Sequence, residues 1–182
     1  MRSALSLEVA RDCLRAGRLV AIPTETVYGL AANALDDNAV ARIFAVKERP
    51  QFNPIICHMA TIDAVFRYGR ETPLARRLSR YWPGPLTILL EHNGRIPGIV
   101  TAGSNLAGFR IPDHSLTLEL MRELQFPLAA PSANRSGQRS PTDANMVMRQ
   151  LGDSIAGVLD GGACRIGLES TVVRLIDERV EI

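Results

Sequence analysis

Short apolar runs recur between helix-period segments along the whole chain, and this alternation restricts it to a layered α/β fold. A first helix is expected over residues 7–16, ending near Gly17, and Leu19-Val20-Ala21-Ile22 follows as a strand that Pro23 stops. Asp36 or Asp37 can cap a helix over residues 39–47, with Val40, Ile43 and Phe44 on one face and Pro50 beyond its end. Further strands are expected at residues 54–58, 86–90, 106–111, 127–130, 155–159 and 171–176, with helices near 62–68, 73–81 and 115–124. Ser140-Pro141-Thr142-Asp143 reads as a helix start, with Ser140 as N-cap and Pro141 in the first helical position. The expected architecture is a twisted mixed sheet with flanking helices, whose strand order these patterns do not encode. With 182 residues and neither repeat nor linker, the sequence is expected to form one domain over 1–182.

Composition narrows the function classes. The longest apolar runs are far too short to span a bilayer, and Glu8, Arg11 and Asp12 interrupt any signal-peptide core, so a cytoplasmic protein without membrane contact is expected. Cys13, Cys57 and Cys164 form no C-x-x-C pair and no zinc-ligand spacing, which leaves them as ordinary reduced thiols. A net charge of +2 tolerates an anionic ligand without requiring nucleic acid. The make-up of the cations says more: of 21 basic residues, 20 are arginine and the single lysine is Lys47. An ammonium is a compact point charge and a guanidinium a planar fork of donors, so the two are not interchangeable beside a phosphate.

Familiar signatures fail. Residues 162–167 have the glycine spacing of a P-loop, but Leu168 and Glu169 stand where lysine and a hydroxyl residue belong, and a carboxylate there repels phosphate. No nucleophile elbow or paired-histidine zinc motif occurs, and His58, His92 and His114 share no metal spacing. Four polar segments instead follow or end core elements, where a sheet scaffold presents ligand groups. Pro23-Thr24-Glu25-Thr26-Val27-Tyr28 offers hydroxyls, a carboxylate and a phenol for a small polar substrate, and a turn held by side-chain-to-backbone bonds accounts for it equally well. Lys47-Glu48-Arg49-Pro50, followed by Asn53-Pro54, sets ammonium beside guanidinium, a pairing suited to a polyphosphate. In the third segment, alternation puts Ser132 and Asn134 on one side of an extended stretch. Gly167-Leu168-Glu169-Ser170-Thr171 leads into the last apolar strand.

Taken together, these segments resemble the YrdC-type family, the threonylcarbamoyl-AMP synthases. The resemblance rests on PTETVYGL at 23–30, Lys47 and Arg49 with the following N-P, WPGPLT at 82–87, VTAG at 100–103, FRIPDH at 109–114, PSANRSG at 131–137 and GLESTVV at 167–173. It implies a concave, positively charged cavity and a reaction in which threonine, bicarbonate or carbon dioxide, and ATP give threonylcarbamoyl-AMP and pyrophosphate. A downstream threonylcarbamoyl-transfer complex then modifies the adenosine beside the tRNA anticodon, so contact with tRNA is expected to be indirect or weak. Carried over residue by residue, Lys47 and Arg49 would hold the ATP phosphates, and Ser132, Asn134 and Ser140 would line the nucleotide side. Thr24, His58, Arg110 and Ser170 would surround threonine, with Arg110 on its carboxylate and His58 as proton acceptor or hydrogen-bonding group.

Such chemistry needs no covalent enzyme nucleophile, only positioning and charge neutralisation. Mg²⁺ is expected to be bound chiefly by the phosphates, since no carboxylate cage is visible. The family pattern runs on to an arginine and a glycine past the last strand, and the sequence ends at Ile182 short of both, so the expectation is either that the sequence is trimmed before that place or that ATP is held more loosely than in the family at large. Two other readings are an RNA-binding module, which the 5% aromatic content disfavours, and carbamoyl transfer to another acceptor.

Overall fold

The structure is a computed structural model and describes residues 4–176 and 179–182. Ser6 caps the first helix, α1 (Leu7–Arg15), by accepting from the Val9 amide, and Gly17 leaves it at φ +70°. A side chain at Gly17 would also meet the Asp36 carboxylate at 3.0 Å. Strand β1 (Val20–Ile22) runs antiparallel to β2 (Gly29–Asn33), with Ile22 opposite Gly29. Helix α2 (Asp37–Lys47) starts at Asp36, whose side chain accepts from the Asn38 and Ala39 amides, and buries Val40, Ile43 and Phe44. Of the two cap candidates, Asp36 is the one used.

The rest of the chain adds β3 (Cys57–His58), α3 (Ile62–Phe66), α4 (Pro73–Leu78), β4 (Leu86–Glu91), α5 (Gly98–Thr101), β5 (Leu106–Arg110), α6 (Ser115–Glu123), β6 (Leu128–Ala129), α7 (Ala144–Leu151), β7 (Gly157–Val158), β8 (Thr171–Ile176) and β9 (Arg179–Glu181). Among the described residues the strands form a nine-stranded mixed sheet in the order β7-β1-β2-β6-β3-β5-β4-β8-β9. Strands β1, β2, β3 and β6 are buried almost throughout, so they read as continuous apolar or small-residue runs. The small side chains of Ala31 and Ala32 on β2 let helices lie close to the sheet, while α1 and α6 are tied together by Arg11 donating to Glu123 at 2.9 Å. No helix among the described residues is long and apolar enough to cross a membrane.

The expected alternation holds, with three differences. Residues 29–33 form a strand that no apolar run announces, and α5 and β9 are likewise additional. Residues 54–58 are strand only at Cys57–His58, because the preceding prolines and turns keep the backbone out of the ladder. Ser140 is not a helix cap: α7 begins three residues later, where the Asp143 carboxylate accepts from the Met146 amide at 2.8 Å. Asp143→Ala is therefore expected to cost about 1 kcal/mol, and Ser140→Ala appreciably less, in chemical denaturation of the two variants.

Candidate functional site

Pro23 ends β1 by withholding an amide, and the chain turns through residues 24–28 before pairing back as β2. Thr24 holds that turn: its hydroxyl accepts from the Thr26 and Val27 amides at 3.2 Å and donates to the Val27 carbonyl at 2.6 Å. The turn reading and the ligand reading of this segment are thus compatible, since the same Thr24 also lines a cleft. Tyr28 does not. Its phenol is buried against the Gly162 carbonyl (2.8 Å) and receives the Gly161 amide (3.0 Å), so it fastens β2 to the 160–162 loop. The start of β2 then captures residues 131–133, through Leu30 N to Pro131 O (2.7 Å) and Ala133 N to Tyr28 O (2.8 Å), which brings Ser132 opposite Gly29.

The opposite wall comes from β3 and β5, where His58 and Arg110 are paired neighbours on parallel strands. Arg110 is almost wholly buried; its Nη2 donates to Glu25 and to Thr26 Oγ1, both at 2.8 Å, and its Nε to the Gly84 carbonyl at 3.2 Å. Among the described residues Nη1 has no protein acceptor, which leaves one arm of the fork for a ligand. Glu25, whose second oxygen accepts from the Asp113 amide at 3.1 Å, is a positioning group, turned to Arg110 and not to the cleft where the sequence reading offered its carboxylate to a substrate. Burial first, and the Arg110 charge second, push the His58 imidazole down to about 3, so it stands neutral at physiological pH, its Nδ1 3.3 Å from the Ile56 carbonyl. A group held so weakly basic is better suited to hydrogen bonding than to taking a proton from an amine.

The remaining wall forms where α2 ends. Lys47 is buried, and its ammonium donates to the carbonyls of Ser132 and Asn134 at 2.5 and 2.6 Å, closing α2 onto the 131–137 loop. Burial, and then Arg49, push this amine down to about 8. Arg49 is pinned by the backbone carbonyls of Asn53 (3.4 Å) and Pro54 (3.0 Å). The segment with P-loop glycine spacing is a strap over the turn: its Ile166 and Gly167 amides donate to the Glu25 and Thr26 carbonyls at 2.8 and 2.9 Å, so they do not cradle a phosphate. The strap delivers Glu169 and Ser170 to the cleft. Ser140 donates to Glu169 at 2.7 Å, and Ser170 meets Thr87 at 2.8 Å.

The cleft so formed has a volume of about 210 Å³. Of the residues singled out in the sequence, Thr24, Arg49, His58, Arg110, Ser132 and Ser170 line it, together with Thr26, Gly29 and Glu169, to which no role was assigned. Lys47, Asn134 and Ser140 lie outside that lining. Asn134 departs from simple alternation because its amide braces its own loop, donating to the Arg135 and Gln138 carbonyls at 2.8 Å; its Oδ1 is buried without a partner. Ser140 reaches the cleft through Glu169. In the sequence Glu169 stood within the fourth polar segment and as the residue that disqualifies the P-loop, with no role of its own assigned.

A buried turn, a strap and two central strands thus converge polar groups on one small cleft of an α/β protein, the arrangement of a small-molecule site. A family model, Sua5/YciO/YrdC, described as "Telomere recombination", matches residues 12–182, and the chain belongs to that family, as the sequence resemblance implied. It is similar to the threonylcarbamoyl-AMP synthase of Pyrococcus abyssi, 44% identical over 173 residues covering 94% of this chain and 51% of that protein. The Bacillus subtilis threonylcarbamoyl-AMP synthase is 45% identical over 172 residues, 93% of this chain and 50% of that one. A crystal structure of P. abyssi Sua5 complexed with L-threonine superposes with a TM-score of 0.92 at 45% identity, covering 96% of this chain and 52% of that chain. The chain thus spans about half the length of these curated relatives.

The buried imidazole gives the site a signature in stability. With a folded-state value of about 3 against an ordinary 6.5, the unfolded chain takes up a proton that the folded one refuses, so stability falls as pH drops through that interval. His58→Gln is expected to flatten this part of the denaturation-midpoint profile.

Proposed function

We propose that this chain catalyses formation of L-threonylcarbamoyl-AMP and pyrophosphate from L-threonine, bicarbonate or carbon dioxide, and ATP. The observation that carries this reading is the convergence, in one cleft, of a half-satisfied arginine (Arg110) with threonine and serine hydroxyls on one side and Arg49 with Ser132 on the other. The cleft's 210 Å³ suits an amino acid, since whole drug-sized ligands take roughly 300–1,000 Å³. Threonine would lie inside, its carboxylate on Arg110 Nη1 and its polar groups among Thr24, His58 and Ser170. ATP would lie across the open mouth, its phosphates toward Arg49 and the third N–H of Lys47, with Ser132, Asn134 and Ser140 on the nucleotide side.

The chemistry asked of these residues is positional. The threonine amine adds to carbon dioxide and releases a proton to solvent (from bicarbonate, a water molecule leaves instead), the resulting carbamate oxygen attacks the α-phosphorus, and pyrophosphate leaves. Neutral His58 would accept or donate a hydrogen bond without competing with Arg110 for the carboxylate. Mg²⁺ belongs to this reading as the companion of the triphosphate. Among the described residues no group of three or more His, Cys, Asp or Glu is arranged for a metal, and Glu169 is the carboxylate that lines the cleft. The same reading puts the protein in the cytoplasm, its product passing to a separate transfer complex that carries the group to tRNA.

Pyrophosphate release should require threonine and bicarbonate together; release undiminished without threonine would sink the proposal. Lys47→Ala is expected to lower kcat/KM for ATP about ten- to a hundredfold, the effect of losing one charge-assisted contact. Because the Lys47 charge is lost as pH rises through about 8, kcat/KM for ATP should decline on the alkaline side of that value. Lys47→Arg should remove the decline while leaving the rate impaired, because a guanidinium does not fit between the two carbonyls.

A further inference from the structure

We propose a second anion site, a cleft that shares His58 with the first and binds the phosphate of a nucleotide-sized ligand. His58 belongs to the linings of both clefts, so the two adjoin at that residue. The second cleft is the larger, about 520 Å³, within the range of small-ligand sites. Arg67, Arg95 and Arg122 line it, and no Asp or Glu does among the described residues. The three come from separate places: Arg67 follows α3, Arg95 lies between β4 and α5, and Arg122 is on α6.

Their charges are uncommitted. Among the described residues none of the three makes an ion pair, and the carboxylate beside Arg122, Glu123, is turned to Arg11 at 2.9 Å. Arg95 lies over the Tyr68 ring at 4.7 Å from its centroid, which holds its guanidinium in place over an apolar floor. Gln125 adds an amide to the rim. The chain as a whole carries only +2, so three cations with no lining counter-charge mark a local excess. A cleft of one sign concentrates ions of the other, and three guanidinium forks offer more donors than one carboxylate's two oxygens can accept bidentately, whereas a phosphate has further oxygens to engage them. The phosphate can belong to a free mononucleotide or to an RNA chain.

Calorimetric titration of the 182-residue chain with AMP, and separately with a short oligouridylate, at low salt tests the site. The unaltered chain should bind at two sites. Arg49→Ala should abolish only the first, and Arg67→Glu with Arg122→Glu should weaken only the second, about tenfold or more. The milder pair Arg67→Gln with Arg122→Gln should give the same pattern, and all four substitutions fall on exposed side chains. Loss confined to AMP assigns the cleft to free nucleotide, and loss confined to the oligonucleotide assigns it to RNA. If both paired variants bind both probes as the unaltered chain does, the second site does not exist, whatever Arg49→Ala does to the first.

Discussion

The guanidinium of Arg110 joins stretches of chain that are remote in sequence: the turn at Glu25 and Thr26, the loop carbonyl of Gly84, and its own strand beside His58. Both it and Glu25 are almost free of solvent, with 4% and 1% of their side chains exposed. Desolvating two charges is costly, and breaking such a pair by removing one partner costs about 3–5 kcal/mol. The pair persists because the groups around it, apart from Arg110 Nη1, are used: Glu25 also accepts from the Asp113 amide, and Arg110 donates to the Thr26 hydroxyl and the Gly84 carbonyl. The strap over residues 24–26 and the loops around it are held in register by this arrangement. A single free N–H arm, facing a small cleft, is what remains for a ligand.

Much of the architecture was legible because it is local. The capping side chain at Asp36, the proline stop at residue 23, and the apolar face of α2 each act over a few residues. Strand β2 was not legible. Its sequence, Gly-Leu-Ala-Ala-Asn, has no β-branched residue and becomes strand because β1 and residues 131–132 supply its partners. The misplaced start of α7 has a similar cause: two competing caps lie three residues apart, and Tyr28 and Cys164 draw the carbonyls of Pro141 and Thr142 into the β2 and strap contacts, leaving Asp143 to open the helix.

The site was half legible. Residue types that touch the cleft directly, Thr24, Arg49, His58, Arg110, Ser132 and Ser170, emerged from polar segments and the family resemblance. Residues that act through others did not, because nothing in a linear pattern says that Glu25 faces Arg110 or that Ser140 faces Glu169. Lys47 shows the limit from the other direction. Its uniqueness was visible, but its placement between two backbone carbonyls depends on a loop 85 residues away.

That placement has a titrimetric consequence. The other basic side chains apart from histidine are guanidiniums, which keep their charge far into alkali, so mildly alkaline solution can switch off one side-chain cation alone. It is the ammonium clamped at the end of α2. The surface therefore keeps its positive residues while a single interior charge fades, which separates the electrostatics of recognition from those of colloidal behaviour in one molecule.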